Sequence, residues 1–189
     1  RLSLVGSEMC IRDRININPC FVFHPMNAYE NDNKIILHVC RQDKAMVGGM
    51  DEIYGGDETT GKLWKWTIDL ERRSCSEEQI DDVACDFARV DDRKIGLKAD
   101  NGYVMELNNK AETLTFGNNL FKYDLNNLDL IKHYQFDIKN PNSLQTSIVT
   151  SLVVDSNDNL WVGSGGDGLF KFEKKSDGFL KFNLSLIHI

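Results

Sequence analysis

The chain lacks a surplus of basic residues: 22 Lys and Arg face 29 Asp and Glu, giving a net charge of -7. Nucleic-acid binding needs Lys and Arg massed over phosphates, so this balance argues against that partner. No apolar run approaches the roughly 18 residues that would span a bilayer as a helix. No cysteines stand at C-x-x-C spacing, and the five present, Cys10, Cys20, Cys40, Cys75 and Cys85, are odd in number. A disulfide framework or a zinc site is therefore not expected, and reduced thiols in a cytoplasm fit the pattern. No window carries a 3.6-residue apolar period. What is present is a chain 41% hydrophobic and 27% charged, the composition of a globular domain rather than a disordered one.

Short strands and turns fill the interior. Phe21-Val22-Phe23 leads to a polar turn at Asn31-Asp32-Asn33, and KIILHVC from Lys34 to Cys40 is rich in β-branched and apolar residues. Further strands are expected at Lys62–Leu70, Gly102–Leu107, Asn119–Leu125, Leu130–Phe136, Ile148–Val154, Asn159–Gly163 and Gly168–Phe172, parted by turn residues such as Asn126-Asn127 and Gly165-Gly166. One phrase recurs: Leu63-Trp64-Lys65-Trp66, Leu120-Phe121-Lys122-Tyr123 and Leu169-Phe170-Lys171-Phe172. The last two copies stand about 50 positions apart, the span of one four-stranded propeller blade. Alternate side chains of a strand face opposite ways, so the two aromatics share one face and Leu and Lys the other. A blade cannot bury such faces alone, and blades stack to do so. The expected fold is all-β, a partial β-propeller of two to three blades of antiparallel strands.

The run Phe21–Glu30, FVFHPMNAYE, holds the strongest candidate for chemistry. It places His24 at the end of an apolar strand, followed by Pro25, which donates no backbone hydrogen bond and keeps its predecessor extended. Asn27 and Glu30 follow with polar groups able to bond a neighbouring loop. On residue type alone a single histidine is more often structural than a ligand.

This run resembles the segment of carotenoid-cleavage oxygenases that supplies one of their four iron-binding histidines. The resemblance continues in order through KLWKWTIDL (Lys62–Leu70), DDVACDFARVDDRKIG (Asp81–Gly96) and Tyr103 after Asn101-Gly102. It implies Fe(II) as cofactor, His24 as one metal ligand, Asn27 and Glu30 as supporting residues, and Asp86 as the carboxylate that accepts a hydrogen bond from an iron-ligating imidazole. The family has Glu-Phe-Pro-Arg where this chain has Asp86-Phe87-Ala88-Arg89, and the shorter aspartate is expected to lengthen that bond. The implied reaction is oxygenative cleavage of a conjugated carbon–carbon double bond. Its partners would be a small apolar conjugated substrate and O2, with peripheral membrane contact left open for a full-length parent. His38 and His133 have no counterpart in the resemblance, so the other ligands are expected outside this chain, which would be inactive alone.

From about residue 120 to 182 the wording changes. DIKNPNSLQTSIVTSLVVDSNDNLWVGSGGDGLFKF, Asp137–Phe172, resembles sensor-type propeller repeats of two-component regulators, and implies as an alternative a non-enzymatic propeller that binds a ligand or partner. In it Trp161 reads as a packing group. Asp155 and Asp158 read as a solvated turn, because calcium-loop spacing is absent. Both ends, residues 1–14 and 184–189, resemble translated sequencing adapter and are set aside. The organisation expected is thus an oxygenase-like propeller fragment at 15–107 and sensor-like blades at 108–183, a chimera joined between Asn108 and Leu130.

Overall fold

The computed structural model describes residues 14–45, 60–108, 115–146, 148–157 and 159–182. Cys10, Asp158, His188 and the adapter-like stretches 1–13 and 184–189 lie outside the described residues. The described chain is built of twelve strands and a single 3-10 turn at Asp92–Lys94. The strands are β1 (Phe21–Asn31), β2 (Lys34–Gln42), β3 (Lys62–Asp69), β4 (Ser74–Gln79), β5 (Cys85–Arg89), β6 (Asn101–Asn108), β7 (Thr115–Asp124), β8 (Leu130–Gln135), β9 (Val149–Val154), β10 (Leu160–Ser164), β11 (Leu169–Glu173) and β12 (Gly178–Phe182).

They form three four-stranded antiparallel sheets, each a simple meander: β1-β2-β3-β4, β5-β6-β7-β8 and β9-β10-β11-β12. Three consecutive blades of a propeller have this order. The second sheet is built of strands that lie on both sides of position 107/108, β5 and most of β6 before it and β7 and β8 after it. The first strand of each later sheet packs on the sheet before it, β5 against β1, β2 and β3, and β9 against β7 and β5.

The recurring phrase explains the stacking. Its three copies occupy the third strand of each sheet, β3, β7 and β11. Phe121 and Tyr123 of β7 bury into a core with Met26, Cys40 and Leu63 of the first sheet. Leu120, on the opposite face of β7, buries into a second core with Phe170, Val162 and Leu152 of the third. The aromatics of one sheet thus cover the leucine of the sheet before it. Full burial of each such side chain contributes about 1.5–3 kcal/mol. The copy on the third sheet is only half served: Phe170 is buried, while Leu169, Val153, Leu180 and Phe182 lie exposed on its other face.

Two tight contacts fix the first sheet against the second. A Cβ at Gly61 would meet the Cys85 carbonyl at 2.5 Å, so only glycine allows β5 this close. The amide of Cys85 donates to the Gly61 carbonyl at 2.8 Å in the same approach. On the far face of the first sheet Arg41 donates to Glu77 at 3.0 Å and lies 4.2 Å over the Trp64 ring.

Candidate functional site

His24 sits where β1 departs from regular pairing. The register with β2 shifts between Val22 and Pro25 and again between Pro25 and Asn27. Pro25 has no N–H to lose at such an irregularity. The break turns the His24 ring away from the β1–β2 ladder and toward β5 of the next sheet. There Nδ1 stands 3.1 Å from Asp86 Oδ1, at the long end of the ordinary N–H···O range.

Asp86 is held by a second irregularity. Phe87 adopts a left-handed backbone, φ 53°, which a bulky side chain rarely accepts. The register of β5 against β6 shifts between Asp86 and Arg89 at this point. A bulge of this kind re-aims side chains, and here Asp86 turns inward, 5% exposed, while the Phe87 ring comes to 4.8 Å from the imidazole. The Phe23 ring also lies close, 5.0 Å from the imidazole. Burial pushes the Asp86 carboxyl above its usual range, opposed by the His24 contact, the Phe87 N–H and the Cys40 thiol.

The proton arrangement follows from chemistry. An ionised carboxylate only accepts, so neutral His24 donates from Nδ1, and the lone pair lies on Nε2. The imidazole is 38% exposed, and among the described residues Nε2 has no hydrogen-bond partner. A donor nitrogen oriented by a buried carboxylate is the arrangement of a metal-ligating histidine. Among the described residues no group of three or more His, Cys, Asp or Glu side chains converges around His24.

The other candidates fall elsewhere. Asn27 is buried, donates from Nδ2 to the carbonyls of Leu97 (2.8 Å) and Lys94 (3.3 Å), and accepts from the Gly96 N–H (3.0 Å). It ties β1 to the loop after β5 and makes no contact with His24. Glu30 is exposed near the far end of β1 and lines a cleft with Tyr29 and Leu97. His38 is fully buried with both ring nitrogens unpaired, beside Tyr29. His133 stacks on Phe121 at 4.6 Å. Asp155 accepts from Trp161 Nε1, from Asn159 and from the Asn157 amide, which makes it the clasp of the β9–β10 turn. The four described cysteines, Cys20, Cys40, Cys75 and Cys85, are free thiols. Sequence reading missed the contribution of Phe87, because neither its backbone angle nor its stacking on His24 has a residue-level signal.

Comparison with known proteins bears on these placements. The family described as RPE65, retinal pigment epithelial membrane protein, matches residues 5–141. A carotenoid cleavage oxygenase of Mycobacterium tuberculosis is 31% identical over 85 residues, 43% of this chain and 17% of that protein. A carotenoid 9,10(9',10')-cleavage dioxygenase 1 of Pisum sativum is 25% identical over 112 residues, 56% of this chain and 19% of that one. The chain thus spans less than a fifth of these curated relatives. Among solved structures, cobalt-substituted Synechocystis ACO superposes with a TM-score of 0.57 at 19% identity, over 86% of this chain and 33% of the other. Pseudomonas brassicacearum lignostilbene dioxygenase superposes with 0.58 at 17%, over 86% and 36%. At such identities these two matches establish the fold. The resemblances to sensor repeats and to adapter sequence are not borne out. The family match covers residues 5–14 of the opening run, passes through Asn108–Leu130 without a break, and the structural matches cover most of the chain.

Proposed function

We propose that this chain, which belongs to the retinal pigment epithelial membrane protein family, is one segment of an iron(II) dioxygenase that cleaves a conjugated carbon–carbon double bond of a carotenoid, apocarotenoid or stilbene. The observation that carries the reading is the His24–Asp86 pair, joined at 3.1 Å across the first strands of two adjacent sheets. The names of the curated relatives and of the lignostilbene dioxygenase supply the substrate class.

His24 would ligate iron through Nε2, with further ligands from parts of the protein beyond this chain. Iron on neutral imidazoles supplies the redox chemistry that couples dioxygen to alkene cleavage. The chain's own residues do three things. Asp86 holds the His24 tautomer through Nδ1 and makes Nε2 the better donor. Phe23 and Phe87 fix the plane of the ring and present hydrocarbon beside it, as an apolar polyene requires. The bulge at Phe87 keeps the carboxylate inside, where water competes less for it.

The test is made in the full-length parent. His24→Ala is expected to lower bound iron and abolish polyene cleavage. Asp86→Ala is expected to weaken iron affinity about 10–100-fold while the fold persists. Iron content unchanged in His24→Ala removes the ligand role and the reading with it.

A further inference from the structure

A cleft of about 270 Å³ opens between the second and third sheets, and neither His24 nor Asp86 lines it. Its lining includes Lys94, Lys122, Lys174, Tyr103, Asp91 and Asp100. The two carboxylates there have partners. Asp91 is gripped by the Arg93 guanidinium at 2.6 and 3.0 Å, and Asp100 accepts from Asn126 at 3.2 Å. The three lysines make no ion pair among the described residues, although Lys94 acts on Asp91 from a distance.

Lys122 is the informative member. It lies on β7 of the second sheet, half-buried, with its ammonium 5.9 Å from the Tyr103 ring centroid. Burial and then the charge of Lys174, which follows β11 of the third sheet, push its pKa down. Asp177 and Asp124 pull the other way, but Asp177 is engaged by Lys132 and Asp124 by the Asn126 amide. Half-buried Lys122 and exposed Lys174 therefore reach one cleft from neighbouring sheets, and the carboxylates around them are each held by another partner. An ammonium in such a place is stabilised by an anion that several cations share.

We propose that this cleft binds a small phosphate-bearing anion, with Lys122 and Lys174 as its principal contacts and Lys94 at the rim. The site is independent of the iron reading. A free phosphate and an acidic lipid headgroup share the chemistry.

Inorganic phosphate is the probe. Titration into the chain, followed by NMR of the Tyr103 and Val154 amides, is expected to saturate. Lys122→Met, which keeps the aliphatic stem, is expected to weaken binding about tenfold or more, as loss of one charged hydrogen bond does. Lys34→Met, on the first sheet, serves as the control and leaves it unchanged. Thermal melts give a second readout. Phosphate raises the Tm of the wild type, while Lys122→Met raises Tm in phosphate-free buffer and is insensitive to phosphate. Sedimentation with phosphatidic acid vesicles against phosphatidylcholine vesicles distinguishes the sources: specific co-sedimentation identifies the headgroup, and its absence with saturable phosphate binding identifies a soluble anion. Non-saturable shifts with phosphate, or equal binding by wild type and Lys122→Met, overturn the proposal.

Discussion

Acid should unfold this chain through His38. The ring lies on β2, opposite Asn27 of β1 and Lys65 of β3, so it shares a sheet face with a fixed cation. It is fully buried, and neither nitrogen finds a hydrogen bond. Burial first, and then Lys65, lower its pKa from 6.5 to about 4. In the unfolded chain the same ring protonates near 6.5. Between pH 6.5 and 4 the unfolded state therefore binds the extra proton, and stability falls as pH falls. It is at full value above 6.5, declines through the window, and loses nothing more from this group below about 4. A difference near 2.5 pH units corresponds to about 3 kcal/mol, a large share of a typical domain's stability. Asp86 works in the opposite sense: its raised carboxyl gives stability present at low pH and lost as pH rises through the folded value. The difference between wild type and His38→Leu isolates the histidine. Urea denaturation followed by tryptophan fluorescence at pH 7, 5.5 and 4 should show a gap between the two that grows by about 3 kcal/mol toward acid, in favour of the variant. At pH 7 His38→Leu should be neutral or stabilising, because it replaces an unpaired buried polar ring with hydrocarbon. Parallel pH slopes for the two proteins refute the reasoning, as does a His38 titration midpoint near 6.5 by NMR.

Other outcomes follow from the same packing. Glu77→Ala removes the buried partner of Arg41, leaving it the exposed Asp43 at 3.5 Å, and should cost about 1.5–3 kcal/mol in denaturant unfolding. Gly61→Ala drives a methyl into the Cys85 carbonyl and should cost about 1–3 kcal/mol, with Ala88 and Cys85 amides shifting most in NMR spectra. Asp155→Ala leaves the Trp161 indole N–H and the Asn157 and Asn159 amides without their shared acceptor; a lower Tm and a changed Trp161 environment are expected. Expressed alone, the chain exposes Val153, Leu169, Leu180 and Phe182 on one face and should self-associate, and Leu180→Glu with Phe182→Lys should shift gel filtration toward monomer.

Much of the architecture could be read from the residues, because the Leu-aromatic-Lys-aromatic phrase is a packing instruction. It names the third strand of each sheet and states which face meets which neighbour. Strands whose side chains carry no such instruction were invisible. SCSEEQ, β4, is polar throughout, and it is a strand because β3 offers it a free edge of backbone donors and acceptors from Trp64 to Asp69. β5, CDFAR, is short and broken by Phe87, so no alternation survives for a periodicity argument. The change of wording after residue 120 suggested a second protein, yet the second sheet spans that point. Inter-sheet packing asks only for apolar side chains at set positions, and differently worded sequences satisfy it.

The site shows the same division more sharply. His24 and Asp86 could be named from their local motifs, but not the fact that they meet, since 62 positions separate them. Their meeting depends on two departures from regular pairing, at Pro25 in β1 and at Phe87 in β5. A regular ladder points side chains squarely off the two faces of its sheet, into the stack of neighbouring sheets. A residue that must serve a point beside the stack cannot sit in a regular ladder. The two irregularities are what let His24 and Asp86 face each other across adjacent sheets, and the strained φ of Phe87 is their clearest mark. Phe87→Gly separates the two roles of this residue. Glycine accepts φ 53° freely, so the bulge and the His24–Asp86 contact should persist while the ring stacked on the imidazole is lost. In the full-length parent, iron binding that survives this change with impaired cleavage would place the ring beside the substrate. Loss of iron on the same scale as Asp86→Ala would show instead that the ring holds the imidazole in line, and would refute a division of labour between carboxylate and aromatic.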